Sequence, residues 1–531
     1  MKTSNIKYDQ INFLPRLVQD YVDHKDGLSS FYNQYPNLEG FRNQIEAKSF
    51  STDYRKILVN VLKEQYAGLK VEPSSDLVFS QIEKLLKTST YTVTTGHQLC
   101  LFTGPLYFVY KILSVIKLSR ELKKEFPKND FVPIYWMASE DHDFLEINHF
   151  YTKGKRFEWP GENTSAVGQL SPELKNLEAE LKATLGPGKN AEELIDLFER
   201  AYSKTTLTEA TRYLVHQLMG QYGVVCLDAD HASLKKLFIP VVEKELKEGI
   251  AEKEVGASIL RLESAGYKTQ VAPRDVNLFY LEVNKRTRIT RLKEGFELAD
   301  KSKTWTENEI LAEVYTSPER FSPNVLLRPV YQELILPNLA YTGGAGELSY
   351  WFEMKEMFSA FDVQFPILML RNSAIVLPKR QMDKWKNLGF ALNDFFADPL
   401  DLEKRLVGDL SSHQTDIKRE TEAFDQLFAD LRMKASKVDV TLSQSADAEQ
   451  AKAFKSLLRL EKKMKRAEKR LFEESMQRMH KLREIVFPNG SFQERYTNFS
   501  EYYLVENRVF MEDLLDTFQP LSPDITVLQI D

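Results

Sequence analysis

Residues 91–105, YTVTTGHQLCLFTGP, decide how this chain is read. Tyr91 to Thr95 form a β-branched run that halts at Gly96, which predicts a strand. Gly104-Pro105 then gives a helix start signal, and apolar residues at 109, 112, 113, 116 and 118 predict a helix from about Leu106 to Phe126. A second apolar run follows at once, Phe131-Val132-Pro133-Ile134-Tyr135-Trp136-Met137. Its near-continuous character suits a strand covered on both faces, so the unit is a parallel β-α-β crossover of right-handed sense. The pattern recurs at 223–228, GVVCLD, and near 365–370, FPILML. Residues 268–300 instead alternate apolar with polar and carry a turn at Asn284-Lys285, which predicts an antiparallel insertion. The fold class is therefore α/β, a doubly wound parallel sheet with inserted segments.

At 531 residues the chain exceeds one core, and 43% hydrophobic content excludes disorder. Residues 1–88 show helical spacing and no strong strand signal, the core spans 89–394, and insertions are expected at about 155–220 and 255–320. Beyond it the composition turns to charged helix formers. Leu410, Ile417, Phe424 and Leu431 lie seven apart, Leu406 and Leu427 fall on a companion seam, and Leu457, Met464 and Leu471 repeat the spacing. With Val438–Glu449 as a polar connector, 395–490 is predicted to fold as an antiparallel coiled-coil hairpin, and 491–531 as a small cap of mixed structure. Leu402, Leu406, Phe454, Leu458, Met476 and Met479 spread apolar surface beyond one stripe, which raises the alternatives of a homodimer and of burial against the core within the chain.

A net charge of -6 gives no global attraction to nucleic acid. Two cysteines, Cys100 and Cys226, fit a reducing compartment. Without an apolar leader or an eighteen-residue apolar run, the expectation is a cytoplasmic protein that does not engage a membrane.

Parallel sheets collect ligands at the carboxyl ends of their strands, where helix N-termini offer N–H groups to anions. The first strand ends in Gly96-His97-Gln98, and Thr103 and Gly104 precede the helix. This loop is neither a Walker A sequence nor a dinucleotide fingerprint, and the same residues suit an ordinary strand-to-helix turn. The second strand ends in Glu140-Asp141-His142-Asp143. Like charges there repel one another, which points to chemistry, although Asp141 or Asp143 could equally cap the next helix. A zinc site built from His97, Asp141, His142 and Asp143 lacks an H-E-x-x-H or C-x-x-C signature, and no metal is expected. Later candidates are Arg328 for carboxylate or phosphate, Gly343 and Gly344 for close backbone approach, and Arg371 with Ser373 after the last strand. Arg274 and the Lys285, Arg286, Arg288 cluster read as decoration of an exposed hairpin.

The stretches TTGHQLCLFTGPLYFVYKILSVIKL, PIYWMASEDHDFLEINH, SPNVLLRPVYQELILPNLAYTGGAGELSYW and PILMLRNSAI together resemble the bacillithiol-biosynthesis cysteine-adding enzymes, the BshC family. The resemblance spans essentially the whole chain. It implies a Rossmann-like core related to nucleotidyltransferases, a C-terminal coiled coil used in dimerisation, and amide joining of L-cysteine to glucosaminyl-malate. By position, His97 and Gln98 fall in the family's T-G-Q/H-Q-x-x-L-F-T-G-P loop and Asp141, His142 and Asp143 in its E-D-H-D motif. Arg328, Gly343, Gly344 and Glu347 match its later motifs. The H-I-G-H and K-M-S-K-S signatures of adenylate-forming relatives are missing, and Cys100 stands where a small residue is expected.

The leading expectation is a C–N bond-forming cysteine ligase that uses ATP or another nucleotide. His97, Asp141, His142 and Asp143 would be catalytic, and Gly96, Gln98, Thr103, Gly104, Arg328, Gly343, Gly344, Glu347, Arg371 and Ser373 would bind substrate or nucleotide. Competing readings are a nucleotidyltransferase-like nucleotide-binding protein and a non-catalytic coiled-coil assembly protein.

Overall fold

A computed structural model describes residues 3–69, 75–163, 165–410 and 416–530, and the chain forms two compact units. The first comprises Met1–Val376 with Ser491–Leu528, the second Leu377–Gly490 with Gln529–Asp531.

The first unit is built on five strands: β1 (Thr90–His97), β2 (Asp130–Met137), β3 (Val225–Asp228), β4 (Asn338–Gly343) and β5 (Ile367–Leu370). Their order across the sheet is β5-β4-β1-β2-β3, and every pairing is parallel. The chain lays down β1, β2 and β3 in one direction, then returns to the far side of β1 for β4 and β5. That reversal is the topological switch of a doubly wound sheet, and it opens a crevice at the carboxyl ends of β1 and β4. Helix α1 (Tyr107–Glu125) carries the crossover from β1 to β2, and its Val115, Leu118 and Leu122 pack on Val93, Ile367 and Met369 in the core.

Strand β4 is not apparent from its sequence, where Asn338 and Thr342 interrupt the apolar run. All six of its residues are nevertheless buried. The Asn338 Oδ1 accepts from Thr92 Oγ1 at 3.1 Å and Thr94 Oγ1 at 2.8 Å, so a neighbouring strand satisfies the polar group. The antiparallel insertion is present as five short strands with Leu278–Glu282 and Lys285–Leu292 as its central hairpin. Glu282 pairs with Lys285, so the turn lies at Val283-Asn284, one residue earlier than predicted, with Asn284 at φ 59°. The N-terminal stretch, read as helical throughout, opens with a strand, Thr3–Ile6, because Ile525–Leu528 supplies its antiparallel partner.

In the second unit, α2 (Lys418–Val438) and α3 (Leu442–Leu471) form the hairpin. Arg432 pairs with Asp447 at 2.6 Å and Phe424 meets Phe454 at 6.4 Å, so partners ascend on one helix as they descend on the other. The connector is Asp439–Thr441, shorter than the predicted Val438–Glu449, because the polar run from Leu442, with Ser443 half-buried and Ser445 exposed, continues as helix. The seam also differs. Ile417 precedes the helix, Leu427 and Leu431 point outward, and Phe424, Phe428 and Arg432 lie on the inner face. Leu457 and Met464 are half-buried, as the seam required, while the side chains of Leu410 and Leu471 lie outside the described residues. Leu402, Leu406, Met476 and Met479 are buried, with the helices Pro399–Leu410 and Glu473–Val486 packed against each other. Among the described residues, no helix is long and apolar enough to cross a membrane.

Candidate active site

The crevice between β1 and β4 opens into a cavity of about 730 Å³. Gly96, His97 and Gln98 from β1 and its loop, Trp136, Glu140 and Asp141 from β2 and its end, and Tyr341 and Glu347 from β4 and the helix after it line one side. The insertion closes the other with Arg274, Phe279, Arg286 and Arg288.

Space at Gly96 is tight: a Cβ would stand 3.2 Å from the Tyr341 hydroxyl and 3.6 Å from Arg328 Nη1. The His97 ring is wedged against Tyr107 and Phe108, and its Nδ1–H donates to the Gln98 carbonyl at 3.0 Å. That bond leaves Nε2 as an open acceptor. Burial, reinforced by the Lys111 ammonium, pushes the imidazole down to about 3, so it is neutral. Lys111, on α1 and unremarked in the sequence, is buried and donates to the Gly96 carbonyl and to Glu347 Oε2 at 2.6 Å. Glu347 also accepts from Tyr341 at 2.9 Å and from the Gly344 N–H at 2.9 Å. Burial alone would raise the Glu347 carboxyl, but the Lys111 charge and these bonds bring it below its ordinary value.

Gln98 ties two carboxylates together, donating to Asp141 Oδ2 at 2.6 Å and Glu146 Oε2 at 2.8 Å. Asp141 also accepts from the His142 N–H at 2.8 Å and has Arg286 Nη1 at 3.7 Å. Burial works against ionisation of Asp141, yet the His142 and Gln98 hydrogen bonds and the Arg286 charge hold it well below the usual carboxylate range. It is an anion that orients a cation and a poor general base.

Arg286 overturns its reading as hairpin decoration. Its side chain is 7% exposed, lies 4.0 Å over the Phe279 ring, and donates to His142 Nδ1 at 3.0 Å, Ser322 at 3.2 Å and the Pro323 carbonyl at 2.9 Å. Its strand belongs to the insertion, which returns over the sheet's carboxyl edge; alternation along a strand does not reveal which face meets another part of the fold. Lys235, likewise buried, pairs with Glu140.

Arg328 lines the cavity from the helix Leu327–Ile335, whose start is fixed by Asn324 Oδ1 accepting from the N–H groups of Leu326 and Leu327. Arg328 donates to Gln332 at 3.0 Å; Gln332 in turn donates to Glu333, which also accepts from Asn338. This buried chain fixes the guanidinium against β1 and β4.

Other candidates lie elsewhere. Asp143 is exposed and caps the short helix Phe144–Ile147, accepting from the Glu146 N–H at 3.3 Å, and His142 stands beside the cavity without lining it. Thr103 and Gly104 shape the loop: Phe102, Thr103 and Gly104 have φ of 47°, 69° and 61°, and Asn498 Nδ2 donates to the carbonyls of Phe102 at 2.8 Å and Gly104 at 2.6 Å. The Leu106 N–H is taken by Thr497 at 2.8 Å and is not presented to an anion. Arg371 and Ser373 both bind the buried Glu494, a C-terminal partner that nothing in the local sequence announces. Gly343 ends β4 next to these residues.

Two family models together cover nearly all of the chain: Bacillithiol biosynthesis BshC, N-terminal Rossmann-like domain, over residues 1–372, and Bacillithiol biosynthesis BshC, C-terminal coiled-coil domain, over 374–530. A relative from Christiangramia forsetii is 42% identical over 536 residues, covering 99% of each chain. Relatives from Flavobacterium johnsoniae and Flavobacterium psychrophilum are 40% and 41% identical, each covering 100% of both chains. All three carry the name "Putative cysteine ligase BshC".

Proposed function

The chain belongs to the bacillithiol biosynthesis BshC family, and from that premise we propose that it is a cysteine ligase, joining the carboxyl group of L-cysteine to the amine of glucosaminyl-malate. The observation that carries the reading is the pairing, in one cavity, of an ionised Asp141 with a neutral His97 whose Nε2 is open. An amide-forming enzyme has to hold an amine in its free form, take the proton released as it attacks and neutralise an anionic leaving group.

We assign the third task to Arg328, Arg286 and Arg288, which give the cavity the cationic lining that a nucleotide's phosphates require, while the missing Cβ at Gly96 leaves room beside Arg328. ATP or another nucleotide, when bound, makes the cysteine carboxyl electrophilic. The acceptor reacts as the free amine, its ammonium proton released to solvent beforehand; Asp141 orients it by accepting one N–H, and His97 Nε2 receives the remaining proton released as the C–N bond forms. An imidazole near 3 is a weak base in the free protein. Anionic charge beside Lys111 and Arg328 offsets the neighbouring ammonium and raises proton affinity when the base is needed. His97 thus acts as a proton acceptor, because its donor nitrogen is already engaged with Gln98.

Two free buried thiols and the absence of a long apolar helix among the described residues support a cytoplasmic setting. The exposed Leu427, Leu431, Leu458 and Leu460 support a homodimer through the hairpin. Incubating the purified protein with ATP, cysteine and glucosaminyl-malate, and weighing the products, tests the reaction. An amide product that requires all three reactants is expected; its absence from a folded preparation sinks the ligase reading.

A further inference from the structure

The cavity at the switch point has a neighbour. Gln98, Tyr107, Glu146 and Glu347 form a shared wall, and beyond it lies a second chamber of about 410 Å³. The two differ in lining. The far chamber is bounded by Arg371 and Arg495, by the stacked rings of Tyr151 and Tyr496, whose centroids are 4.2 Å apart, and by the backbone of Gly344 to Gly346.

Three observations bear on what it takes. Arg371 is 6% exposed, and its Nη1 and Nη2 groups are spent on Glu494, Ser373 and the Asn372 carbonyl, while its Nε–H has no partner among the described residues. A buried donor left without an acceptor is costly, so an acceptor supplied by a ligand is favoured. Gly344 has φ -74°, open to any residue, so backbone freedom does not call for glycine there. A Cβ at that position would stand 3.6 Å from both Arg371 Nε and Glu347 Oε2, in ordinary contact with them, and would fill the space through which a ligand reaches the buried Nε–H. Finally, Arg495 is exposed and lines the same chamber, adding a second cation, and Tyr107 lies beneath the Arg371 guanidinium at 5.4 Å.

We propose that the second chamber is the acceptor pocket, which recognises the amine-bearing substrate by a carboxylate held between Arg371 Nε–H and Arg495 and lays its ring or chain along Tyr107 and the Tyr151–Tyr496 stack. The inference rests on the ligase reading of the adjoining cavity. The amine then reaches across the shared wall to Asp141 and His97. There the amine nitrogen forms its bond to the cysteine carbonyl carbon, the nucleotide-derived leaving group departs with its electron pair, and the proton goes to His97 Nε2. The two cavities divide the labour: the first holds nucleotide and cysteine, the second the acceptor.

The test uses full-length protein, with succinate as a carboxylate probe and succinamide as its neutral counterpart, followed by calorimetry. Arg495→Ala and Gly344→Ala alter an exposed side chain and an unstrained backbone position, so both should fold with unchanged melting temperature. Succinate binding is expected to weaken at least tenfold in each, with partial recovery in Arg495→Lys, no binding of succinamide, and ATP affinity within twofold of wild type. In the amide assay the KM for the amine substrate should rise at least tenfold while the KM for cysteine holds. Equal succinate binding in wild type and both alanine variants overturns the inference, as does a rise confined to the cysteine KM. If no amide forms with wild-type protein yet succinate binding still depends on Arg495 and Gly344, the ligase reading fails and the carboxylate pocket stands.

Discussion

Lys111 and Lys465 make the same kind of contact in two regions that treat charge in opposite ways. Lys111, 3% exposed, meets Glu347 at 2.6 Å under the carboxyl edge of the sheet; Lys465, 55% exposed, meets Glu461 one turn away on the hairpin at 2.5 Å. At the edge, each buried charge is met by partners from distant segments, so the cluster exists only in the folded sheet. Along the hairpin, charges pair within one helix or, like Arg432 with Asp447, between the two helices at the solvent-exposed surface, and α2 buries no residue fully. Identical chemistry should therefore carry very different weight. Lys111→Met leaves the Gly96 carbonyl and much of the Glu347 charge uncompensated, and is expected to cost about 3 kcal/mol. Lys465→Met should cost no more than about 0.5 kcal/mol. Urea melts of the two variants check this, and equal losses would break the comparison.

Next in size is a loss of turnover with the fold intact. Asp141→Asn keeps the shape but removes the anion facing Arg286 and one of the two hydrogen bonds, from Gln98 and the His142 N–H, that the carboxylate accepts. We expect kcat to fall at least about a hundredfold with little change in melting temperature. His142→Ala should cost nearer tenfold, because His142 supports Arg286 from beside the cavity. Steady-state rates above half of wild type in Asp141→Asn would remove the carboxylate from the mechanism.

How much of this was legible depended on range. The strands β1 and β2, the helix between them and the hairpin helices announce themselves through local periodicity, which the sequence carries within one window. Strand β4 does not, since its polar Asn338 makes sense only beside Thr92 and Thr94 on β1. At the site, the loop after β1 and the acidic end of β2 were visible as motifs. Lys111 was hidden inside an amphipathic helix, where a lysine usually marks the solvent face. Arg286 was hidden in a hairpin whose docking face alternation cannot reveal, and Glu494 pairs with Arg371 across 123 residues. The same short range explains the misplaced hairpin seam. A seven-residue count extended through Leu410 and Ile417 assumed one continuous helix, whereas Ile417 caps the start of α2.

A third, smaller effect sharpens the contrast through pH. Asp230, just beyond β3, is pushed up from 3.8 to about 7 by burial and by the neighbouring Glu140 and Asp228, against the pull of Lys235. Between those values the folded protein holds a proton that the unfolded chain has released, so this group's stabilisation is present in acid and is lost as pH rises through 7. Glu353, also raised to about 7 by burial, acts in the same direction. Asp230→Asn should recover on the order of 1 kcal/mol of the stability lost between pH 5 and 8, with the Glu353 share remaining. A pH profile of the melting temperature unchanged by Asp230→Asn would show that the cluster is already relaxed by solvent.

The smallest expected change in chain stability has the largest consequence for assembly. Leu427 and Leu458 are 55% and 43% exposed on α2 and α3, where the hairpin's own inner face has already been filled by Phe424, Phe428 and Phe454. Replacing both by Glu removes no buried contact, so the melting temperature of the isolated chain should move within about 0.5 kcal/mol equivalent. Met476 and Met479, by contrast, are buried within the second unit, and a charge there would unfold it. If the outward leucines form the seam of a homodimer, the double variant should run as a folded monomer in light scattering at micromolar concentration while wild type runs as a dimer. A wild-type monomer refutes the dimer, and a double variant that stays dimeric moves the interface away from these leucines. Either result leaves the cavity chemistry untouched, because no residue assigned to it lies on the hairpin.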